Sequence, residues 1–282
     1  MRGLVCICVS LLVICGAAAY RPVIIFHGIF GTSAHMDDLV ALIKGAHNGT
    51  EVHNIDGYDD LQSLTPMWEQ VTNIKAEMLP IMQQAKDGVN LICFSQGGLV
   101  CRGILETTPE HNVHTFVSLS SPQAGQFGDT VYLEHFFPNF TKDHIYELFY
   151  TTFGQKYSIA NYWRDPHQEQ LYAKSNVFLY PLNHPSDSSH KTNFERIEQL
   201  VLIGGPDDGV ITPWQSSHFG FYDDNEQNIT MEDQEFYKTD SFGLQTLASK
   251  GVIKVHSIPG VPHTTWHGNK DVFNCCIAQY LQ

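Results

Sequence analysis

Basic residues are scarce in this chain: 16 Lys and Arg residues stand against 30 Asp and Glu residues, and the formal net charge is −14. Because nucleic-acid binding needs a basic surface, this balance argues against a nucleic-acid partner. The 15 histidines add positive charge only in acid, since exposed imidazoles become protonated around pH 5. The composition therefore suits an acidic compartment.

Long apolar runs are also missing beyond the N-terminus, so we expect no stable membrane span. The N-terminal run from Leu4 to Ile14 is too short to cross a bilayer. Arg2 precedes it, and the small residues 17–19 follow it, as is typical of a cleaved leader. We predict that residues 1–19 are a signal peptide; the alternatives are an uncleaved anchor or a buried strand.

Three N-glycosylation sequons fit a secretory route, since this modification is added to surface loops of secreted proteins. They begin at Asn48, Asn139 and Asn228. Each tripeptide alone is a weak match, but together with the predicted signal peptide they indicate a glycoprotein of the secretory pathway.

Cysteine is sparse, and no cysteine spacing is typical of a zinc site. Three of the seven cysteines (Cys6, Cys8 and Cys15) fall in the predicted signal peptide. The other four, which allow three disulfide pairings, are Cys93, Cys101, Cys275 and Cys276. Neighbouring residues on a helix point about 100° apart, so we expect Cys275 and Cys276 not to bond each other.

Apolar, β-rich runs alternate with helical stretches along the chain, and this order predicts an α/β fold with a largely parallel sheet covered on both faces. The predicted strands are 23–26, 52–55, 89–94, 113–119, 200–203 and 252–258. The predicted helices are 34–44, one that begins at 65–66 and that Pro80 bends or ends, one from Leu99 onward, and 271–281. Chemistry in such folds lies beyond the carboxyl ends of the strands.

The segment 122–196 interrupts this alternation and holds 16 of the 33 aromatic residues in about a quarter of the chain. We predict one domain over residues 20–282, with this segment inserted over the strand ends. Two interpretations stay open, because aromatic side chains suit both cores and ligand pockets. The segment is either a helical excursion with its own core, or a lid whose inner face forms an apolar acyl pocket.

The stretch Cys93-Phe-Ser-Gln-Gly97 lies between a predicted strand and a predicted helix. That context is typical of the nucleophile elbow of the α/β-hydrolase fold, in which a sharp turn exposes the serine hydroxyl. Cys93 stands where the motif usually has glycine, and it is also small. We therefore predict that Ser95 is the nucleophile of a serine hydrolase.

In this fold an acid and then a histidine follow the serine along the chain. Asp207 and Asp208 follow the predicted strand 200–203, and His263 follows the strand 252–258. The histidine would take the serine proton, and the carboxylate would hold the imidazole tautomer. The spacing alone does not choose between the two acids, which could also belong to an ordinary turn.

His267 offers a second histidine four residues beyond His263, a spacing that binds metal when both lie on a helix. Pro259, Gly260 and Pro262 favour a loop instead, and no third ligand cluster is visible, so we expect no metal site. We prefer His263 because it is nearer to the strand end.

The pair His27-Gly28 ends the first predicted strand. A strand that ends in this way commonly presents the next backbone N–H to an oxyanion, paired with the N–H after the nucleophile. We therefore predict an oxyanion hole formed by the N–H groups of Ile29 and Gln96, in which one such donor is worth about 3 kcal/mol in the transition state.

With these residues in place, the chain resembles the palmitoyl-protein thioesterase family, in particular its type 2 lysosomal thioesterases, over nearly all of residues 20–282. The resemblance depends mainly on four stretches: 91–102, 120–123, 204–214 and 262–266. It implies a catalytic triad of Ser95, Asp208 and His263, and so it favours Asp208 over Asp207. It also implies a Cys93–Cys101 disulfide, and places His256 where relatives have a cysteine that pairs with the C-terminal helix.

The same resemblance implies hydrolysis of long-chain fatty acyl thioesters in the lysosome through an acyl-serine intermediate, with no cofactor. The thiol carrier (coenzyme A or a protein cysteine), the oligomeric state and the pairing of Cys275 and Cys276 stay open. A lipase or carboxylesterase that acts on oxygen esters is the nearest alternative, because the leaving group lies outside the triad. A catalytically silent acyl-binding protein is an alternative of another class.

Overall fold

A six-stranded, wholly parallel sheet forms the centre of the computed structural model, which describes residues 20–282. The predicted signal peptide, with Cys6, Cys8 and Cys15, lies outside the described residues. In chain order the strands are β1 (Val23–Phe26), β2 (Val52–Asn54), β3 (Val89–Phe94), β4 (Val113–Leu119) and β5 (Gln199–Gly204), with the hairpin β6 (Phe221–Tyr222) and β7 (Asn228–Ile229), and then β8 (Ile253–Ser257). The sheet order is β2-β1-β3-β4-β5-β8, which confirms the predicted α/β fold with a parallel sheet.

Side chains of β1 alternate between two buried faces, because successive residues of a strand point to opposite sides. Val23 and Ile25 join the core beneath α1 (Asp37–Ala46), whereas Ile24 and Phe26 join the core beneath α2 (Met67–Gln84) and α3 (Gln96–Glu106). A strand buried on both faces needs an unbroken apolar run, as in the sequence VIIF.

The prediction that Pro80 could end its helix is wrong, since α2 continues to Gln84. Pro80 lies on the exposed side of the helix, while Met78 and Met82 are buried on the core side. Burial of this apolar face outweighs the backbone hydrogen bond that proline removes.

Six short helices and no strand of the sheet lie between β4 and β5. They are α4 (Val131–Phe136), α5 (Tyr146–Phe149), α6 (Ser158–Tyr162), α7 (Glu169–Ser175), α8 (Leu179–Asn183) and α9 (Ser189–Phe194). Phe149, Trp163 and Phe178 from this segment are buried in the same core as α2 and α3. The segment is therefore anchored, through these aromatic side chains, in the core that α2 and α3 form on one face of the sheet. Two further helices, α10 (Glu235–Lys238) and α11 (Leu244–Ser249), precede β8.

The C-terminal helix is shorter than predicted: α12 (Lys270–Cys276) is followed by a separate 3₁₀ turn over Ala278–Tyr280. Cys275 and Cys276 form a disulfide with each other, so the expectation that they would not bond is wrong. The two cysteines are the last residues of α12, and the backbone leaves helical geometry at the next residue, Ile277, with φ −120° and ψ −55°. Nε2 of His256, on β8, lies 3.0 Å from the hydroxyl oxygen of Tyr280.

Candidate active site

Ser95 stands on the turn between β3 and α3 with φ 54° and ψ −130°, a backbone conformation that is costly for any residue with a Cβ. Its N–H donates to the carbonyl of Leu119 at 3.0 Å. Gly97 must lack a side chain, since a Cβ there would lie 2.2 Å from the carbonyl oxygen of His27. A disulfide joins Cys93 on β3 to Cys101 on α3 and so links the strand to the helix across this turn.

The backbone after β1 passes directly beside this serine. A Cβ on Gly28 would lie 2.6 Å from Cβ of Ser95, so only glycine fits there. The N–H of Phe30 donates to Oγ of Ser63 at 2.8 Å. By contrast, the N–H groups of Ile29 and Gln96 have no acceptor within residues 20–282. Two free donors therefore belong to residues that line the same cavity as Ser95.

Ser95, His263 and Asp208 form one hydrogen-bonded chain. Nε2 of His263 lies 2.9 Å from Oγ of Ser95, and Nδ1 of His263 lies 2.9 Å from Oδ2 and 3.0 Å from Oδ1 of Asp208. All three side chains are at most 5% exposed. In this geometry an imidazole can accept the serine proton at Nε2 while the carboxylate fixes its tautomer.

Asp208 is held by several donors besides His263. Its Oδ1 accepts from the N–H groups of Val210 and Ile211 at 3.1 and 2.7 Å. Burial raises the pKa of Asp208, but the hydrogen bond and charge of His263, together with the other donors, outweigh burial and hold that pKa below its ordinary value. The carboxylate therefore stays ionised in mild acid.

Asp207 occupies a different position. It is exposed, and its Oδ2 accepts from the N–H of Gly260 at 2.7 Å, which ties the loop after β5 to the loop after β8. His267 also stands apart from the Ser95–His263–Asp208 chain, with its ring centroid 5.1 Å from that of Phe94. Within residues 20–282 no three His, Cys, Asp or Glu side chains are grouped to hold a metal ion.

Two residues to which the sequence analysis gave no role also contact the acid. Oγ–H of Ser120 donates to Oδ2 of Asp208, and Nε1–H of Trp266 donates to the same oxygen at 2.7 Å. Ser120 follows β4, the strand between β3 and β5, and has φ 44°. The signal in the sequence was its place, a serine directly after the predicted strand 113–119, where functional groups gather.

An apolar cavity of about 510 Å³, including its open mouth, begins at Ser95. Most of its walls are aliphatic or aromatic, and many of them come from the segment between β4 and β5. The lining residues of this apolar cavity are Ile29, Phe30, Ser95, Gln96, Pro122, Gln126, Thr130, Tyr132, Leu133, Phe137, Ile159, Tyr162, Trp163, Val210 and Ile211. Such walls suit a hydrocarbon chain.

A second cavity of about 650 Å³, also including its mouth, lies on the His263 side. Four histidines contribute to it, so we call it the histidine cavity. Its lining residues are His27, Gly28, Ile29, Phe30, Gly31, His35, Met36, Phe94, Tyr132, His263, Thr264 and His267.

The three sequon asparagines, Asn48, Asn139 and Asn228, are all exposed. They lie in separate parts of the chain: after α1, after α4, and on β7. No helix within residues 20–282 is both long and apolar enough to cross a membrane.

Known proteins resemble this chain over most of its length. The family model described as palmitoyl protein thioesterase matches residues 22–263. The rat protein named lysosomal thioesterase PPT2 is 49% identical, over 93% of this chain and 88% of its own. The human protein of that name is 48% identical, over 94% of this chain and 89% of its own. The homolog from Drosophila melanogaster is 41% identical, over 93% of this chain and 92% of its own.

Among solved structures, the mature lipase BlEst2 of Bacillus licheniformis superposes with a TM-score of 0.52, at 14% identity and 94% coverage of both chains. At that identity the likeness concerns the fold, which is the α/β-hydrolase fold. The extent of the family match and the identity to its members establish that this chain belongs to the palmitoyl protein thioesterase family.

Proposed function

We propose that this chain is a lysosomal serine thioesterase that hydrolyses long-chain fatty acyl thioesters. The observation that carries the proposal is the hydrogen-bonded chain of Ser95, His263 and Asp208, whose serine opens onto an apolar cavity. Relatives that are nearly half identical carry the name lysosomal thioesterase. The predicted signal peptide and the exposed sequon asparagines support delivery through the secretory pathway.

The reaction runs in two acyl transfers. Oγ of Ser95 attacks the thioester carbonyl carbon as Nε2 of His263 takes its proton, and the N–H groups of Ile29 and Gln96 stabilise the oxyanion. The carbon–sulfur bond then breaks, and His263 returns the proton to the departing sulfur. Water, deprotonated by His263, then attacks the acyl-serine carbonyl; the bond to Oγ of Ser95 breaks, His263 returns the proton to that oxygen, and the fatty acid is released. These steps use side chains, two backbone N–H groups and water.

The segment 122–196 acts as a lid in this proposal, within a single domain over residues 20–282. Leu133, Phe137 and Ile159 of this segment line the apolar cavity, where they face the position of an acyl chain on Ser95. Other aromatic side chains of the segment, such as Phe149 and Phe178, are buried in the core. The two interpretations of the aromatic-rich segment are therefore compatible, because different residues serve each one.

The direct test compares palmitoyl-CoA, an S-palmitoyl peptide and a matched palmitoyl oxygen ester at about pH 5 and about pH 7. We expect release of thiol from at least one thioester, faster than alcohol release from the oxygen ester. Labelling by a fluorophosphonate reports a working serine in the same samples. Labelling without thiol release would point to oxygen esters, and absence of both would point to an acyl-binding protein.

Chain length gives a second prediction. Each methylene moved from water into the apolar cavity contributes roughly 0.8 kcal/mol, so kcat/KM should rise about fourfold per carbon until the cavity is filled. The measurement is a series of acyl-CoA substrates below their micelle concentrations. A profile that is flat from short to long acyl chains would remove the acyl role of this cavity.

Leu133→Trp should shorten that profile, since Leu133 is a buried wall of the apolar cavity and indole fills space that the chain would occupy. We expect the optimum to move to shorter acyl chains and kcat/KM for palmitoyl-CoA to fall by about tenfold or more. Val177→Trp is the matched control, because Val177 belongs to the same segment, is 47% exposed and does not line the cavity. It should leave the profile unchanged.

A further inference from the structure

Ser120 is a fully buried serine whose backbone is strained. Its φ of 44° lies in the left-handed region, which disfavours residues that carry a side chain. Its N–H donates to the carbonyl of Ile203 on β5 at 2.7 Å, so the neighbouring strand holds this backbone in place. Glycine would adopt the same φ without strain. A serine at such a position points to a use for its hydroxyl group.

The hydroxyl of Ser120 lies between the acid and the histidine of the Ser95–His263–Asp208 chain. Its Oγ–H donates to Oδ2 of Asp208, and the same Oγ lies 3.3 Å from Nδ1 of His263. Nδ1 of His263 is itself 2.9 Å from Oδ2 of Asp208. The three polar atoms therefore form a triangle, in which one hydroxyl contacts both partners of the acid–imidazole hydrogen bond.

The carboxylate of Asp208 is held at both of its oxygens. Oδ2 receives the hydroxyl of Ser120, Nε1–H of Trp266 at 2.7 Å and the imidazole of His263. Two backbone N–H groups of its own loop donate to Oδ1. Rotation of the carboxylate would break bonds at both oxygens at once. These donors therefore fix the plane in which the carboxylate meets the imidazole.

We propose that Ser120 is a positioning residue of the reaction. Its hydroxyl holds the carboxylate of Asp208 against Nδ1 of His263 and stabilises the negative charge of this pair, so that Nε2 remains free to take the proton of Ser95. The inference rests on the proposed serine-hydrolase mechanism and deepens it. It adds a residue that acts through the acid and contacts neither the substrate nor the reacting atoms.

The same hydroxyl affects the pH at which the Asp208–His263 pair takes up a proton. Burial raises the pKa of Asp208, but donors that include His263 and Ser120 outweigh burial and hold that pKa below its ordinary value. Two further titratable groups face the pair, Tyr132 on the side of the acid and His267 on the side of the imidazole. Because the pair titrates as a unit, loss of a donor to the carboxylate lets it bind a proton at higher pH. A protonated pair cannot accept the proton of the nucleophile.

Two substitutions remove the hydroxyl in different ways. Ser120→Ala keeps the Cβ, whereas Ser120→Gly also relieves the strain at φ 44° and should melt no lower than Ser120→Ala. We expect both to lower kcat for palmitoyl-CoA by about tenfold, the effect of one hydrogen bond to a charged group. KM should stay within about twofold. Between about pH 4 and about pH 7, the acid limb of kcat should move to higher pH in both variants.

The rate at which a fluorophosphonate labels Ser95 is a second readout, because it depends on the same proton transfer and on no thioester. It should fall by a similar factor in both variants of Ser120. Ser121→Ala is the matched control, since Ser121 is the next residue, is also fully buried and bonds to Gln123 instead. Its labelling rate and its acid limb should be those of the wild type.

A double-mutant cycle tests whether Ser120 acts through the acid. If it does, Ser120→Ala should lower kcat by less than about twofold when Asp208→Asn is already present, because the carboxylate that it positions is gone. A residue that only supports the fold would instead lower kcat by the same factor in both backgrounds.

Wild-type kcat in both Ser120→Ala and Ser120→Gly would overturn the proposal, and so would equal losses with and without Asp208→Asn. The proposed function fails in a different way. A wild type that is labelled at Ser95 but releases no thiol would refute the thioesterase activity, while the labelling rates would still decide the role of Ser120.

Discussion

Replacing Ser95 with alanine should lower kcat for palmitoyl thioester hydrolysis by about a millionfold, as removal of the nucleophile does in serine hydrolases. The variant loses the only atom that can form the acyl intermediate in the proposed reaction. It keeps the free N–H groups of Ile29 and Gln96, so slow direct attack by water should leave activity above the uncatalysed rate. Thiol release from palmitoyl-CoA measures the loss, and fluorophosphonate labelling should vanish with it.

Ser121→Ala provides the matched control for this experiment. Ser121 is also fully buried, but its Oγ accepts from Nε2 of Gln123 at 3.2 Å and has no hydrogen bond to His263 among residues 20–282. We expect its kcat to stay within about threefold of the wild type, since it loses one neutral hydrogen bond. If Ser95→Ala retained a tenth of wild-type activity, the nucleophile would have to be another residue.

The backbone at Ser95 explains why alanine is the appropriate substitution. Ser95 has φ 54°, and a residue with a larger or β-branched side chain would add strain to a turn already packed against Gly28. Alanine has the same Cβ and lacks only the hydroxyl. A lower rate can then be assigned to the missing hydroxyl, and an unchanged melting temperature would show that the fold is intact.

The four central strands β1, β3, β4 and β5 could be predicted from the sequence because each is a largely buried, mostly apolar run. The bounds of β1, β3 and β4 agree with the predicted 23–26, 89–94 and 113–119. The Cys275–Cys276 disulfide could not be predicted in the same way. It depends on where α12 ends, and helix ends are set by packing and capping more than by local pattern.

Part of the candidate site could likewise be predicted from the sequence, and part could not. Ser95, Asp208 and His263 follow strands that are adjacent or nearly so in the sheet, so their order along the chain and the topology together place them at one edge. The contacts of Ser120 and Trp266 with Asp208 join loops that follow different strands. No spacing rule relates these positions, so only the folded chain reveals them.

Asp208→Asn is the second change with a large expected effect, a loss of about ten-thousandfold in kcat. The carboxylate accepts hydrogen bonds at both oxygens, from His263 and Trp266 among others, and donates none. An amide must place an NH₂ group against some of these donors. It also permits the His263 tautomer with hydrogen on Nε2, which cannot take a proton from Ser95.

Asp207→Asn is the control that the chain itself supplies, one residue away and with the same change of charge. Asp207 is exposed, and within residues 20–282 its side chain bonds only to the N–H of Gly260, a bond that an asparagine oxygen can still accept. We expect its kcat/KM to stay within about threefold of the wild type from about pH 5 to about pH 7. Since both variants remove one negative charge from the same loop, a general electrostatic effect would lower both rates alike. A large loss in Asp208→Asn alone would locate the effect at Nδ1 of His263, whereas equal losses would contradict the assignment of Asp208 as the acid.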